Sequence, residues 1–159
     1  MQTTKQVTVF LENKPGRLAN VLDALAEQKV NIIALSVMDK HEHSVLRLTT
    51  DSPANTSQII QRLNAPFTET DVLVVELKNQ PGALSHVCEV LAAEHINIDY
   101  AYCSSGGRNG KVVGIFKVSN NEKAMRVLGQ SPNASTRRLE KRVVRDRQIY
   151  APKGNSARR

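Results

Sequence analysis

The stretch Glu12–Ile32, ENKPGRLANVLDALAEQKVNI, returns 66 residues later as Lys78–Ile98, KNQPGALSHVCEVLAAEHINI. Leu18, Val21, Leu25 and Ala26 match Leu84, Val87, Leu91 and Ala92, and Val30-Asn31-Ile32 matches Ile96-Asn97-Ile98. Past the next turn the offset becomes 70, and VLRLTTD from Val45 is answered by IFKVSNN from Ile115. The four extra residues fall in SSGGRNGK, the kind of surface turn where insertion costs least. A fixed-offset repeat means one structural unit built twice. The 159-residue chain as a whole could bury roughly 70% of its unfolded surface, but half of it sits near the lower limit for independent folding. The two units are therefore expected to lean on each other.

Each unit has the same order. Val7–Glu12 and Asp71–Leu77 are β-branched runs and read as strands. Pro15-Gly16 and Pro81-Gly82 end each strand and open a helix. Leu18, Val21, Leu22, Leu25 and Ala26 recur at helical spacing, and Leu84, Val87, Cys88, Leu91 and Ala92 repeat the stripe. NIIALSVM and NIDYAYC read as second strands, SVLRLTT and VVGIFKVS as third strands, TSQIIQRL and NEKAMRVL as short second helices. Only Asn64–Thr70 separate the first unit's second helix from the next unit's first strand. Either FTETDVLVVEL is close to one continuous strand serving both units, or the units exchange an edge strand. The second unit's fourth strand is expected near Lys141–Arg145, with a helix over Ser135–Arg142 as the rival. The expected boundaries are 1–69 and 70–150 for the two units, and 151–159 for a basic disordered tail.

The formal charge of +7 is uneven. Residues 136–159 hold nine Lys/Arg and two acids, which leaves 13 of each sign for the rest of the chain. The body is neutral and the basicity belongs to the C-terminal segment. Nucleic-acid modules with this strand order need exposed aromatics on their central strands, and Phe10 and Phe116 do not form that pattern. Nucleic-acid or protein binding through the basic tail stays as the alternative function. No run approaches the ~20 apolar residues of a membrane span, and MQTTKQVTVF is not laid out as a signal peptide. Cys88 and Cys103 are too few for a disulfide framework and read as reduced core thiols of a cytoplasmic protein. No catalytic grouping appears. A phosphate loop would need Gly at 105 and Ser or Thr at 112, where the chain has Ser105 and Val112, so SSGGRNGKV reads as a hairpin turn. His41 and His43 lack a third spaced ligand, so neither a metal nor a cofactor is expected.

The N-x-P-G-x-L turn before the helix, the V/I-N-I opening of the second strand and the βαββαβ order together resemble the ACT domain. That small ligand-binding module is attached to many enzymes of amino-acid metabolism. The resemblance covers most of residues 5–128 in two copies and is nearest to free-standing tandem ACT proteins without a catalytic domain. It implies an α+β fold of two ferredoxin-like βαββαβ domains, antiparallel sheets with helices on one face. It also implies a non-enzymatic regulatory protein that binds a small ligand, usually an amino acid, at the seam between ACT units, and an enzyme that it regulates. The site residues carried over are Asn13, Pro15, Gly16, Arg17, Leu18 and Asn31 in the first copy. In the second they are Asn79, Pro81, Gly82, Ala83, Leu84, Asn97 and Asp99. Serine-binding members place a His two residues before the loop Asn, and this chain has Leu11 and Leu77, which counts against serine.

These residue types suit a zwitterion. An Asn amide offers a donor and an acceptor on one plane. Gly16 and Gly82 lack a Cβ and sit where a helix begins, with unpaired N–H groups that favour an anion. Asn31 and Asn97 are expected to open the second strand beside that helix end. The other reading is structural: Asn near a turn caps a helix or bonds its own backbone. The copies differ, since Asp99 replaces Ile33 and would favour an ammonium, and Arg17 stands where the second copy has Ala83. Tyr100 and Tyr102 replace Ala34 and Ser36 and read as packing residues. Val72 and Val74 beside Leu73 and Val75 make both strand faces apolar. A sheet with helices on one face would then need a second copy to cover the other, so a homodimer is expected.

Overall fold

The computed structural model describes residues 1–40, 43–107 and 111–130. In chain order these form β1 (Gln2–Glu12), α1 (Arg17–Glu27), β2 (Ile32–Lys40), β3 (His43–Thr50), α2 (Pro53–Arg62), β4 (Phe67–Lys78), α3 (Ala83–Ala93), β5 (Ile98–Gly107), β6 (Lys111–Val118) and α4 (Asn121–Gln130). The strands make one antiparallel sheet in the order β2-β3-β1-β4-β6-β5. The fold is α+β, two ferredoxin-like units sharing one sheet.

β4 serves both units. Its residues Phe67–Val74 pair with β1 and Leu73–Lys78 pair with β6. The register sets Lys5 opposite Asp71, and these two are also 66 residues apart, hence repeat equivalents. A pseudo-two-fold axis therefore passes between them. Folding a repeat about such an axis brings equivalent positions face to face, where identical charges would repel. The chain has opposite charges there, with Lys5 Nζ 2.9 Å from Asp71 Oδ1. β1 lies along Phe67–Val74, on the side of β4 where a fourth strand of the second unit was expected, and meets the β6-paired stretch Leu73–Lys78 only at Leu73 and Val74. Lys141–Arg145 and the rival helix over Ser135–Arg142 lie outside the described residues.

The helices share one face. Val21 and Leu25 of α1 and Ile59 and Ile60 of α2 pack on Val7, Val9, Leu46 and Leu48. Val87 and Leu91 of α3 and Ala124 of α4 pack on Leu73, Val75, Phe116 and Val118. The pairs Thr3↔Leu73 and Val9↔Phe67 put both cores on the same side of the sheet, because directly opposed residues share a face. Both long helices end alike. Val30 N donates to Leu25 O at 3.0 Å and Ile96 N to Leu91 O at 2.9 Å, with Lys29 and His95 each at φ 55°. This is the left-handed cap that satisfies orphan carbonyls.

The middle of the helix-free face is covered from within. In a flat sheet β3 and β5 would lie four strand spacings apart, about 19 Å. Thr49 Oγ1 and Tyr102 OH are instead 2.9 Å apart. Twist accumulates until the edge strands β2 and β5 meet across that face. Val72, Val74, Ile115 and Ala34 are buried inside the curl, with Tyr102 and Val113 against them. The cover that Val72 and Val74 were expected to need from a second copy is thus supplied by the chain's own β2 and β5. The cysteines also depart from expectation: Cys88 and Cys103 are both exposed. Cys103 lies on the edge strand β5, and partial desolvation, then the neighbouring Cys88, push its thiol pKa up. No helix among the described residues is long and apolar enough to cross a membrane.

Candidate functional site

The two proline-glycine turns are built identically. Lys14 N donates to Glu12 O at 2.8 Å and Arg17 N to Lys14 O at 3.3 Å; Gln80 N donates to Lys78 O at 2.9 Å and Ala83 N to Gln80 O at 3.3 Å. Gly16 and Gly82 hold φ of 86° and 84°, a region that side chains resist and glycine enters freely. A Cβ at Gly16 would meet nothing within 4 Å, so the backbone angle demands the glycine and the space above it is open. Neither helix start has a side-chain cap or an acidic residue in its first turn. Two helix N-termini thus present N–H groups and partial positive charge at exposed turns.

The expected site residues divide as follows. Asn13, Pro15, Asn79 and Pro81 are exposed at the turns. Leu18 is half-buried against the first core, Ala83 is half-buried at the start of α3, and Leu84 is 42% exposed. Arg17 is engaged: its Nη2 lies 2.7 Å from Glu12 Oε2, with Lys14 Nζ at 3.2 Å. Hydrogen bonds from Arg17 first and Lys14 second hold the Glu12 carboxyl below its ordinary pKa. The main chains of Asn31 and Asn97 close the strand ends. Asn31 N donates to Asp51 Oδ1 at 3.1 Å and Asp51 N to Asn31 O at 3.1 Å; Asn97 N donates to Ser119 Oγ at 3.1 Å and Ser119 N to Asn97 O at 3.0 Å. The Asn97 amide also donates to Asp99 Oδ1 at 2.9 Å, so this pair does come together.

The turn and the strand asparagine of one copy do not meet, contrary to expectation. β1 and β2 run parallel on either side of β3, so the chain must return along α1 before β2 begins. Eleven helical residues span about 16 Å. Glu12 pairs with His43 at the start of β3, whereas Ile32 pairs with Thr50 at its end. Gly82 and Asn97 are separated by α3 in the same way. Since β1 and β4 are antiparallel, the two turns also lie at opposite ends of the sheet.

A polar cluster on the helix-free face went unread in the sequence. Gln6 is fully buried, and its Nε2 donates to Thr8 Oγ1 and to Tyr100 OH, both at 2.9 Å. Tyr102 OH donates to Gln6 Oε1 at 3.0 Å. Burial pushes the Tyr102 pKa up to about 12, and the neighbouring Tyr100 adds to the rise. The Arg47 guanidinium stacks 4.1 Å from the Tyr100 ring centroid. This network joins β1 and β3 of the first unit to β5 of the second. Only the parity of strand positions could have hinted at it, because its members are far apart in sequence.

The sequence pattern of the ACT domain pair matches residues 2–133. A protein of known structure from Bacteroides thetaiotaomicron is 31% identical with a TM-score of 0.75, over 82% of this chain and 89% of that one. The ligand-free regulatory subunit of aspartate kinase from Thermus thermophilus is 15% identical with a TM-score of 0.60, over 82% of this chain and 97% of that one. The corresponding Thermus flavus subunit is 15% identical with a TM-score of 0.56, over 83% and 96%. The two aspartate kinase likenesses are of fold. No curated protein matches the chain.

Proposed function

The chain belongs to the family of paired ACT domains, a regulatory ligand-binding family, and from that premise we propose that it is a non-enzymatic, cytoplasmic sensor of an amino acid. The observation that carries the reading is the pair of identical, uncapped helix starts at Gly16 and Gly82. Arg17 N and Ala83 N are bonded within the turns, so each start offers a carboxylate the next N–H groups of its first turn and positive dipole charge. The ammonium end of the ligand falls to a strand-start asparagine, and Asn97 with its bonded Asp99 is the better equipped. Because a helix separates turn from asparagine within each copy, the two must come from different units, which we place in two protomers. The turn comes from one, the asparagine from its partner. The pocket is then complete in a homodimer, which passes the ligand signal to an enzyme it regulates.

A thermal-shift screen against the proteinogenic amino acids tests this. A ligand at about 100 times its Kd adds about 2.7 kcal/mol of stability, a shift of several degrees. Asn97→Ala is expected to weaken binding by about 1–3 kcal/mol, since it strands a partner group. Asn31→Ala costs less, because Ile33 offers the ligand no charge. A flat screen at high concentration, or an Asn97→Ala protein that binds like the parent by isothermal titration, sinks the reading.

A further inference from the structure

Arg47 and Lys117 are repeat equivalents at the offset of 70. Both are half-buried and both lie on the helix-free face, away from the proline-glycine turns. Arg47 stands between Thr8 and Ser36 on the neighbouring strands, and Lys117 is the strand partner of Tyr100. Tyr100 therefore has the cation of the first unit stacked on its ring and the cation of the second beside it. Among the described residues neither cation has a carboxylate partner. Arg47 Nη1 donates to the Met38 sulfur at 3.0 Å, a weak acceptor, and Lys117 Nζ reaches the Val118 carbonyl at 3.5 Å, the outer limit of a hydrogen bond. Among the described residues, the register puts Glu12 and Glu76 toward the two far ends of this face, held by Arg17 and Lys111, while Asp99 in the β5 bulge beside Tyr100 accepts from the Asn97 amide.

Two half-desolvated cations without a counter-charge are costly, and an anion between them offsets that cost. A guanidinium binds an oxyanion with two parallel N–H bonds and an ammonium adds a point charge. The Thr8 and Ser36 hydroxyls flank Arg47, and Tyr100 OH, which accepts from Gln6, keeps its own proton to donate. We propose that Arg47 and Lys117, one from each repeat, bind the carboxylate or phosphate group of a small metabolite against Tyr100 on the helix-free face. Each cation belongs to a different unit, so occupancy ties the units together and tightens the curl of the sheet. The site stands apart from the turns, whether or not these take an amino acid.

The test uses the full chain with inorganic phosphate and succinate as probes, against chloride at matched ionic strength. Isothermal titration reads the affinity. Tyrosine fluorescence reports the place, since the chain has no Trp and two of its three Tyr lie in this network. Phosphate, succinate or both are expected to bind and to change the fluorescence, and the preferred probe identifies the group recognised. Arg47→Met and Lys117→Met should each weaken binding at least tenfold, and Arg126→Gln on the exposed side of α4 should leave it unchanged. Circular dichroism controls for folding, and Lys117→Met decides alone if Arg47→Met does not fold. Binding no stronger than chloride, or equal in the parent and the Lys117 variant, overturns the proposal by assigning the anion to other cations.

Discussion

Gln6 follows Thr3-Thr4-Lys5, a polar run with nothing to mark one member as core, yet its amide is fully enclosed. It is buried because β5 folds over it, and it is tolerated because three hydrogen bonds satisfy it. Gln6→Leu fills similar space but takes the Gln6 hydrogen bond from the Thr8 and Tyr100 hydroxyls and leaves Tyr102 with Thr49. It is expected to lower stability by about 1–3 kcal/mol in urea unfolding. Tyr102 adds a pH signature. Its folded pKa of about 12 exceeds the ordinary 10.0, so the fold prefers the neutral phenol. That contribution is fully present below pH 10 and is lost as pH rises toward 12. An ultraviolet absorbance titration should show a late tyrosine step, and Tyr102→Phe should remove it. If all the tyrosines titrate together near their ordinary value, the hydroxyl is not enclosed as described. At this scale the glycine turns were legible, because the Pro-Gly pair and the required left-handed φ are local. The asparagines were legible as residues but misplaced as a cluster, since their positions depend on which way the helix runs.

β4 is the element on which the two units depend. Seven linking residues leave no room for a separate strand, and the structure uses one strand twice. A fragment ending at Thr70 keeps Phe67–Thr70 but deprives Gln2–Lys5 of their partners Asp71–Val74. It also uncovers Gln6, Thr49 and Ala34 on the helix-free face. Fragment 1–70 is therefore expected to be unfolded or aggregated, as an unpaired strand edge invites. A soluble fragment with a cooperative melt by circular dichroism would show instead that the first unit stands alone. The helices α1 and α3 were plain from their 3.6-residue stripe, because burial on one side follows from local geometry. The first half of β1 was not. Gln2–Gln6 are polar throughout, with no apolar alternation to mark a strand, and are strand because β4 pairs with them.

For the whole molecule, the question is where a second copy would sit. The chain itself fills the middle of the helix-free face, with Phe10 and Met38 still 39% and 45% exposed toward one end of it, and a second apolar strip lies on an edge strand. Leu35 and Val37 on the edge strand β2 are 43% and 45% exposed. Their equivalents on β5 are the smaller Ala101 and Cys103. A dimer through β2 would cover the apolar edge and pair its free backbone groups. Val37→Lys is then expected to shift sedimentation equilibrium from dimer to monomer while circular dichroism stays native. A parent chain that sediments as a monomer at all concentrations would remove the two-protomer pocket. The amino-acid order alone determined the doubled unit, its strand and helix sequence and the ACT resemblance, and narrowed the link to a shared or an exchanged strand, because repeat offset, hydrophobic period and linker length are properties of the chain read in one dimension. Tertiary structure alone decided that β1 lies beside β4 and joins the two units into one sheet, that Lys5 meets Asp71 on the pseudo-axis, and that the sheet curls until Tyr102 reaches Thr49. These follow from accumulated twist and from pairings between residues distant in sequence, and no local pattern encodes either.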